Sequence, residues 1–249
     1  MSDIRGGREL GEVLGDVPSA VLAVYAHPDD AAIACGGALA KWAAAGCAVH
    51  LIVCTDGGKG TLDTSLTGNE LVLQRSAELA ASASAMGLAS HRVLGAPDGE
   101  LEERSTLREE IVGAVREIRP DAVVGHDPTA VFFGREYVNH RDHRAAGWAM
   151  LDAVAPASAL PLYFPHAGPP HQVSQAFLTG TLEPDVWIDI TAFVEQKIEA
   201  VGCHGSQFSD GEGVWARDAV RRRAAEEGRR AGVAFAEGFR LLHVGEVAG

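Results

Sequence analysis

The sequence is poor in cysteine and has no long apolar run. Its four cysteines are Cys35, Cys47, Cys54 and Cys203. They form no CxxC pair and no disulfide framework, which indicates reduced core thiols and argues against a cysteine-rich structural zinc site. No segment approaches the roughly 18 consecutive apolar residues of a membrane helix, so we expect no stable membrane insertion. Residues 1–15 contain no apolar h-region, so we expect no secretory signal and a cytoplasmic location.

Positive charge is also scarce. The 21 lysines and arginines are outnumbered by 34 aspartates and glutamates, which gives a formal net charge of −13. Nucleic acids and anionic membranes are bound mainly through basic patches, so we expect no nucleic-acid partner. A dinucleotide fingerprint is missing as well, because the glycine-rich segment Asp56–Gly60 reads DGGKG and not GxGxxG.

Strand-like and helix-like segments alternate through about residue 130 at the spacing of βαβ units. We therefore predict one α/β domain over residues 1–249 with a mostly parallel sheet. The predicted strands are Ser19–Tyr25, Ala48–Thr55, Arg92–Leu94, Ala122–Gly125, Leu162–Phe164, Ser174–Thr179 and Val186–Ile190. The predicted helices are Gly36–Ala45, Asn69–Met86, Leu107–Ile118, His143–Val154, Thr191–Cys203 (with Thr191 as N-cap) and Ala216–Ala231.

Four polar segments each follow a predicted strand directly. They read AHPDD at residues 26–30, TDGGKG at 55–60, APDGE at 96–100 and GHDPT at 125–129. In an open parallel sheet all carboxyl ends lie along one edge, where ligands bind. We therefore expect the four segments to converge on one rim that carries the active site.

The residue types in AHPDD and in a later cluster, residues 139–143, indicate a metal. His27 and Asp30 are separated by two residues, so both side chains can reach one ion from a single turn. A further ligand can come from the cluster Asn139–His143, in which His140 and His143 can face the same side. Two histidines and one carboxylate with an open position is a common catalytic zinc arrangement. For His126, on the same rim, we favour a structural role.

With these motifs in order, the chain resembles the PIG-L/LmbE-like zinc-dependent N-acetylglucosamine de-N-acetylase family. The motifs that carry the resemblance are AHPDD, CGG (35–37), TDGGKG, the Arg75/Glu78 pair, GAPDG (95–99), NHRDHR (139–144) and KIEAVGCHGSQ (197–207). The resemblance implies a Rossmann-like three-layer αβα sandwich with the active site at the carboxyl edge of the strands. It also implies an amino-sugar or glycoconjugate substrate, and a trimer or hexamer as the form that relatives often take.

The resemblance further implies a role for each matching position. His27, Asp30 and His143 would ligate one Zn2+, although Fe2+ also suits such a site. Asp29 would act as general base. His140 would stabilise the oxyanion or protonate the leaving amine, with Asp142 holding its tautomer. Arg75 and Asp98 would contact the sugar.

One departure and three rival interpretations remain open. Many relatives carry glutamate just after AHPDD, whereas this chain has Ala31–Ala34, yet every metal and base position is retained. An amidase of a larger N-acyl or thiol-conjugate substrate would use the same site. A non-catalytic sugar- or nucleotide-binding Rossmann-like module would suit the rim loops but not the missing fingerprint. A structural zinc site is disfavoured, because no cysteine joins the cluster.

Overall fold

The computed structural model describes residues 10–208 and 212–245. Along this part of the chain the strands are β1 (Glu12–Val13), β2 (Ala20–Tyr25), β3 (Ala48–Thr55), β4 (Ser90–Ala96), β5 (Ala122–His126), β6 (Phe132–Phe133), β7 (Tyr137–Val138), β8 (Gln175–Thr179), β9 (Val186–Asp189) and β10 (Ala236–His243). The helices are α1 (Asp30–Ala44), α2 (Gly68–Ala85), α3 (Ser105–Ile118), α4 (Arg141–Asp152), α5 (Val194–Gly202) and α6 (Glu212–Ala231).

Eight of the strands form one sheet in the order β1-β9-β10-β8-β5-β2-β3-β4. Every pairing in it is parallel except those of β10, which runs antiparallel to both β8 and β9. After β2 the chain forms β3 and β4 on one side of that strand in the sheet, and later forms β5 and β8 on its other side. The strand order therefore reverses between β2 and β5, which is where open α/β sheets bind ligands.

Helices cover both faces of the sheet. In β2 the side chains of Val21, Ala23 and Tyr25 join a core with α1, α2 and α5, while Leu22 and Val24 join a second core with α3 and α4. This alternation follows from the two-residue period of a strand. The Rossmann-like three-layer αβα sandwich is thus confirmed. None of the helices in the described part of the chain is long and apolar enough to cross a membrane.

The start of α1 was predicted six residues too late. The helix begins at Asp30, directly after the AHPDD turn, and Cys35 interrupts it with non-helical angles of φ −146° and ψ 23°. Gly36 and Gly37 follow this break, so the glycine pair marks a kink and not a helix start. A methyl group on Gly37 would meet Ile190 at 2.7 Å, which explains why glycine is needed at the kink.

Two local predictions were wrong because side-chain bonds replaced the expected structure. Residues Leu162–Phe164 form turns, and the buried guanidinium of Arg116 donates to carbonyl oxygens of this segment, including Phe164 at 2.8 Å. Thr191 does not cap α5, which begins at Val194. Its hydroxyl donates instead to the carboxylate of Asp189 at 2.6 Å, which closes a turn after β9.

Sequence reasoning missed β10 altogether. This strand, Ala236–His243, inserts between β8 and β9 as the antiparallel member of the sheet. Its partners lie well before it in the chain, with α5 and α6 in between, so no local turn signal announces the pairing. The insertion places Glu237 beneath α1, where it is 4% exposed.

Candidate active site at the strand-order reversal

The AHPDD turn sits at the carboxyl end of β2, beside the point where the strand order reverses. Asp29 occupies the N-cap position of α1, and Asp30 is the first helical residue. The backbone N–H of His27 donates to Asp30 Oδ2 at 2.7 Å, which closes the turn. Three side chains from four consecutive residues are thereby held at one end of a buried strand.

The three predicted metal ligands lie together. His27 Nδ1 is 3.2 Å from His143 Nε2 and 3.3 Å from Asp30 Oδ2, and His143 Nε2 is 3.1 Å from Asp30 Oδ1. Two donors about 2.05 Å from a tetrahedral zinc ion are themselves about 3.3 Å apart. The spacing of these donors therefore fits one ion between them.

The ring of His143 is oriented by Asn139. The Asn139 side-chain N–H donates to the carbonyl of Ala130 at 2.8 Å, which turns its amide oxygen toward His143 Nδ1 at 3.1 Å. Because that oxygen accepts, Nδ1 carries a proton, and the ring is held with Nε2 toward Asp30. Metal-ligating histidines are commonly held this way through their other ring nitrogen.

His126, for which sequence reasoning favoured a structural role, belongs to the same cluster. Its Nε2 lies 3.1 Å from Asp30 Oδ2, and its ring stacks on that of His143 at 4.1 Å between centroids. Burial lowers the pKa of His126 to about 4, so the ring is neutral near pH 7. The available signal was its position at the end of β5, next to β2.

Arg75 approaches Asp29 from α2. Its Nη2 donates to Asp29 Oδ1 at 2.7 Å and its Nη1 donates to the carbonyl of Gly57 at 3.0 Å, while the residue is only 2% exposed. A methyl group on Gly57 would meet the guanidinium at 2.8 Å, so the glycine-rich loop is what permits this approach. The predicted sugar ligand Arg75 thus lies behind Asp29.

Two further carboxylates face the other nitrogen of His27. Asp98 Oδ1 lies 3.2 Å and Asp142 Oδ2 lies 3.5 Å from His27 Nε2. Burial by itself lowers the pKa of His27, but the bonds to Asp142, Asp30 and Asp98 raise it to about 12. The bond to His27 in turn lowers the pKa of Asp98 to about 2. Three carboxylates thus surround the His27 ring and concentrate negative charge there.

Asp142 bonds His140 through its backbone N–H and the β4–α3 loop through its carboxylate. Its backbone N–H donates to His140 Nδ1 at 3.2 Å, which leaves the N–H of a neutral ring on Nε2. Its carboxylate lies 4.0 Å from His140 Nδ1 and instead accepts the N–H groups of Gly99 and Leu101, at 2.6 and 3.1 Å. The carboxylate thereby anchors the loop that carries Asp98.

The end of the motif KIEAVGCHGSQ contacts α2 and the glycine-rich loop next to Arg75. The N–H and hydroxyl of Ser206 both donate to the Glu78 carboxylate at 2.7 Å. The side chain of Gln207 donates to the carbonyl of Gly60 at 3.1 Å. These bonds tie the C-terminal half of the chain to α2 and to the glycine-rich loop.

Comparison with known proteins agrees with this geometry. Residues 22–154 match the PIG-L family model, described as GlcNAc-PI de-N-acetylase. Diacetylchitobiose deacetylase from Thermococcus kodakarensis is 35% identical over 240 residues, which are 94% of this chain and 86% of that protein. The 1D-myo-inositol 2-acetamido-2-deoxy-alpha-D-glucopyranoside deacetylase 2 from Saccharopolyspora erythraea is 29% identical over 206 residues, covering 73% of this chain and 69% of that protein.

A solved structure has the same fold. N,N'-diacetylchitobiose deacetylase from Pyrococcus horikoshii, complexed with its inhibitor MPG, superposes with a TM-score of 0.83 at 32% identity, over 91% of this chain and 84% of that one. The family model covers more than half of the chain, and the Thermococcus relative matches nearly all of it. The protein therefore belongs to the PIG-L family and is a deacetylase, a hydrolase of amide C–N bonds.

Proposed function

We propose that this chain is a zinc-dependent deacetylase that removes the acetyl group from the amide nitrogen of an N-acetylglucosamine-type sugar or glycoconjugate. The observation that carries the proposal is that His27 Nδ1 and His143 Nε2 lie 3.2 Å apart and each lies 3.1 to 3.3 Å from one carboxylate oxygen of Asp30. The relatives named above act on N-acetylated glucosamine compounds, which supports the substrate class.

His27, Asp30 and His143 would hold the metal. A divalent ion there would polarise the acetyl carbonyl and acidify the attacking water. Two imidazoles and one carboxylate suit zinc and also Fe2+, and we favour zinc because this donor set with an open position is common in catalytic zinc sites.

Asp29 is the group placed to take the proton of the attacking water. Arg75 occupies its Oδ1, which leaves Oδ2 for the water and fixes the plane of the carboxylate. Addition of the water oxygen to the carbonyl carbon creates an oxyanion, and cleavage of the C–N bond then releases acetate. The amine must gain one proton as it leaves. A general base or acid in such a position contributes about 10²–10⁴-fold to the rate.

His140 is the group placed to meet the oxyanion and the departing amine. Its ring lies 4.7 Å from that of His27 between centroids, and its side chain is 40% exposed, so substrate can reach it. The bond from the Asp142 backbone to Nδ1 leaves Nε2–H as the donor in the neutral ring. A donor aimed at developing negative charge is a common source of rate enhancement in amide hydrolysis.

A groove borders the metal ligands Asp30 and His143. Its volume is about 710 Å3, and it runs from Asp30 and His143 past Ile33 to the aromatic side chains of Phe133 and Tyr137. Pockets of about 300–1,000 Å3 hold drug-sized ligands. The groove exceeds what an acetyl group needs, and aromatic rings can stack on the face of a sugar. It also supports the alternative of a larger N-acyl or thiol-conjugate substrate.

An acetate-release screen tests the proposal. The metal-loaded protein would be assayed against N-acetylglucosaminides with varied aglycones and against the same sugars carrying longer N-acyl groups, with metal content measured on each sample. Acetate release from the acetylated series, lost in Asp29→Asn, is the expected result. Cleavage confined to the longer acyl groups would select the alternative, and no cleavage by a fully metal-loaded sample would refute both. The trimer or hexamer and the cytoplasmic location stay predictions.

A further inference from the structure

The kink in α1 breaks a hydrogen bond that a regular helix would contain. In an uninterrupted α-helix the N–H of Gly37 would donate to the carbonyl of Ile33, four residues earlier. Cys35 prevents this with its φ of −146°. The N–H of buried Gly37 loses its helical partner, which is costly inside a protein, and the carbonyl of Ile33 loses its donor.

A buried ion pair occupies the gap. Glu237 Oε1 accepts the N–H of Gly37 at 3.1 Å, and Glu237 Oε2 accepts the N–H of Ala38 at 2.7 Å. On the other side of the break, Lys197 Nζ donates to the carbonyl of Ile33 at 2.8 Å. Lys197 Nζ and Glu237 Oε1 are 2.5 Å apart, so the two side chains close a ring between the separated halves of the helix.

The pair is largely buried and comes from distant parts of the chain. The side chains of Lys197 and Glu237 are 5% and 4% exposed. Lys197 lies on α5 and Glu237 on β10, 164 residues from Ile33 and 200 residues from Gly37 respectively. A buried ion pair usually contributes little more to stability than a well-packed apolar pair would. Stability alone therefore does not account for it, whereas the broken helix does.

The part of α1 before the kink is the part that carries the chemistry. It is a single turn that starts at Asp30 and has Asp29 at its N-cap. Lys197 and Glu237 line the groove together with Asp30. The direction of this turn relative to β2 determines where the carboxylates of Asp29 and Asp30 point. The ion pair supplies the hydrogen bonds between this turn and the rest of the helix.

We propose that Lys197 and Glu237 are positioning residues that hold the first turn of α1 at the angle needed for Asp30 to bind the metal and Asp29 to reach the water. The catalytic consequence rests on the proposed function, while the structural consequence can be measured without any substrate.

The test is the double variant Lys197→Met/Glu237→Gln, which removes both charges and leaves no unpaired buried charge. The amide introduced by Glu237→Gln can still accept one N–H, but Ile33 loses its donor and either Gly37 or Ala38 loses its acceptor. The matched control is Lys41→Met. Lys41 also lies on α1 and donates to a carbonyl, that of Asp189 at 2.9 Å, but on the far side of the kink.

Three measurements that need no substrate report on the position of the first turn of α1. These are hydrogen exchange at the amides of Gly37 and Ala38, the dissociation constant of Zn2+, and the visible absorption spectrum of the Co2+-substituted protein. We expect faster exchange, metal binding weaker by about 10–100-fold, and an altered cobalt spectrum, as for other residues that orient metal ligands. We expect kcat to fall by a similar factor, because the metal ligand and the neighbouring carboxylate are no longer held in place. The control should match the parent protein.

A double variant with parent exchange, metal affinity and cobalt spectrum would overturn the proposal. If the double variant does not fold, the single variant Glu237→Gln decides by the same measurements, because it keeps the size of the side chain. Altered metal binding in a protein whose parent form releases no acetate would support the positioning role and refute the proposed function. If the parent protein releases acetate and the double variant is unaffected, the proposed function is supported and the positioning role is refuted.

Discussion

The two nitrogens of His27 face regions of opposite character. On the Nδ1 side, which we name the donor side, Asp30 lies among the imidazoles of His143 and His126. On the Nε2 side, which we name the carboxylate side, Asp98 and Asp142 lie close together. The donor side gathers lone pairs around one position. The carboxylate side gathers negative charge around a backbone loop.

Asp29 and Asp30 show what this difference does to one residue type. Burial would raise the pKa of Asp30, but the adjacent His143 and His126 hold it well below its usual range. Asp29 is 17% exposed at its side chain and pairs with Arg75 instead. The two adjacent carboxylates therefore differ in their surroundings. Those of Asp30 favour its charged form, which can bind a cation, whereas Asp29 keeps one oxygen available to accept a proton.

The largest effect should come from removing a donor-side ligand. His143→Ala takes one of the three donors and also removes the ring that stacks on His126. We expect purified protein with little bound metal and no measurable deacetylation, because the remaining donors no longer surround an ion. Metal analysis after dialysis checks this. Full metal occupancy in the variant would show that His143 is not a ligand.

The next largest effect should separate the two adjacent carboxylates. Asp29→Asn keeps the shape of the side chain but cannot accept a proton, so we expect turnover to fall by about 10²–10⁴-fold with the metal retained. Acetate release and metal content are measured on one preparation. Asp63→Asn, at an exposed loop position, is the control and should behave as the parent protein. Near-normal turnover would mean that Asp29 is not the base.

An intermediate effect should come from His126, the donor-side residue that orients Asp30 without being a predicted ligand. His126→Gln should weaken metal binding by about 10–100-fold, as changes behind a metal ligand do. Turnover should recover when metal is added in excess, unlike in His143→Ala. A zinc titration of activity separates the two outcomes. His91→Gln, at an exposed position of β4, is the matched control.

The smallest effect should come from Arg75, which bonds Asp29 and whose Nη1 lies 3.9 Å from Asp98 Oδ2 on the carboxylate side. Arg75→Lys keeps the positive charge but cannot bond Asp29 and the Gly57 carbonyl with one planar group. We expect kcat to fall on the order of tenfold, the size of one hydrogen bond to a charged group, with metal affinity unchanged. A rise in KM with constant kcat would show instead that Arg75 binds the sugar directly.

Much of the fold followed from local patterns. The strands β2, β3 and β5 were predicted to within a residue or two, and their polar exits do meet at one rim, because parallel strands share their carboxyl edge. The errors occur where distant residues intervene. The glycine pair of α1 resembles a helix start in the local sequence, because the side chains that bridge the break at Cys35 lie about 160 and 200 residues further along the chain. The strand at Leu162–Phe164 was wrong because Arg116 binds its carbonyls.

By itself, the sequence determined which residue types come together, in which order, and on which kind of element. AHPDD and HRDH are short, and their spacing depends only on chain neighbours. Only the tertiary structure decided that His126 joins Asp30, that Arg75 pairs with Asp29, and that Lys197 and Glu237 bridge α1. These contacts join residues 40 to 200 positions apart, and they depend on the order of strands in the sheet, which no local pattern encodes.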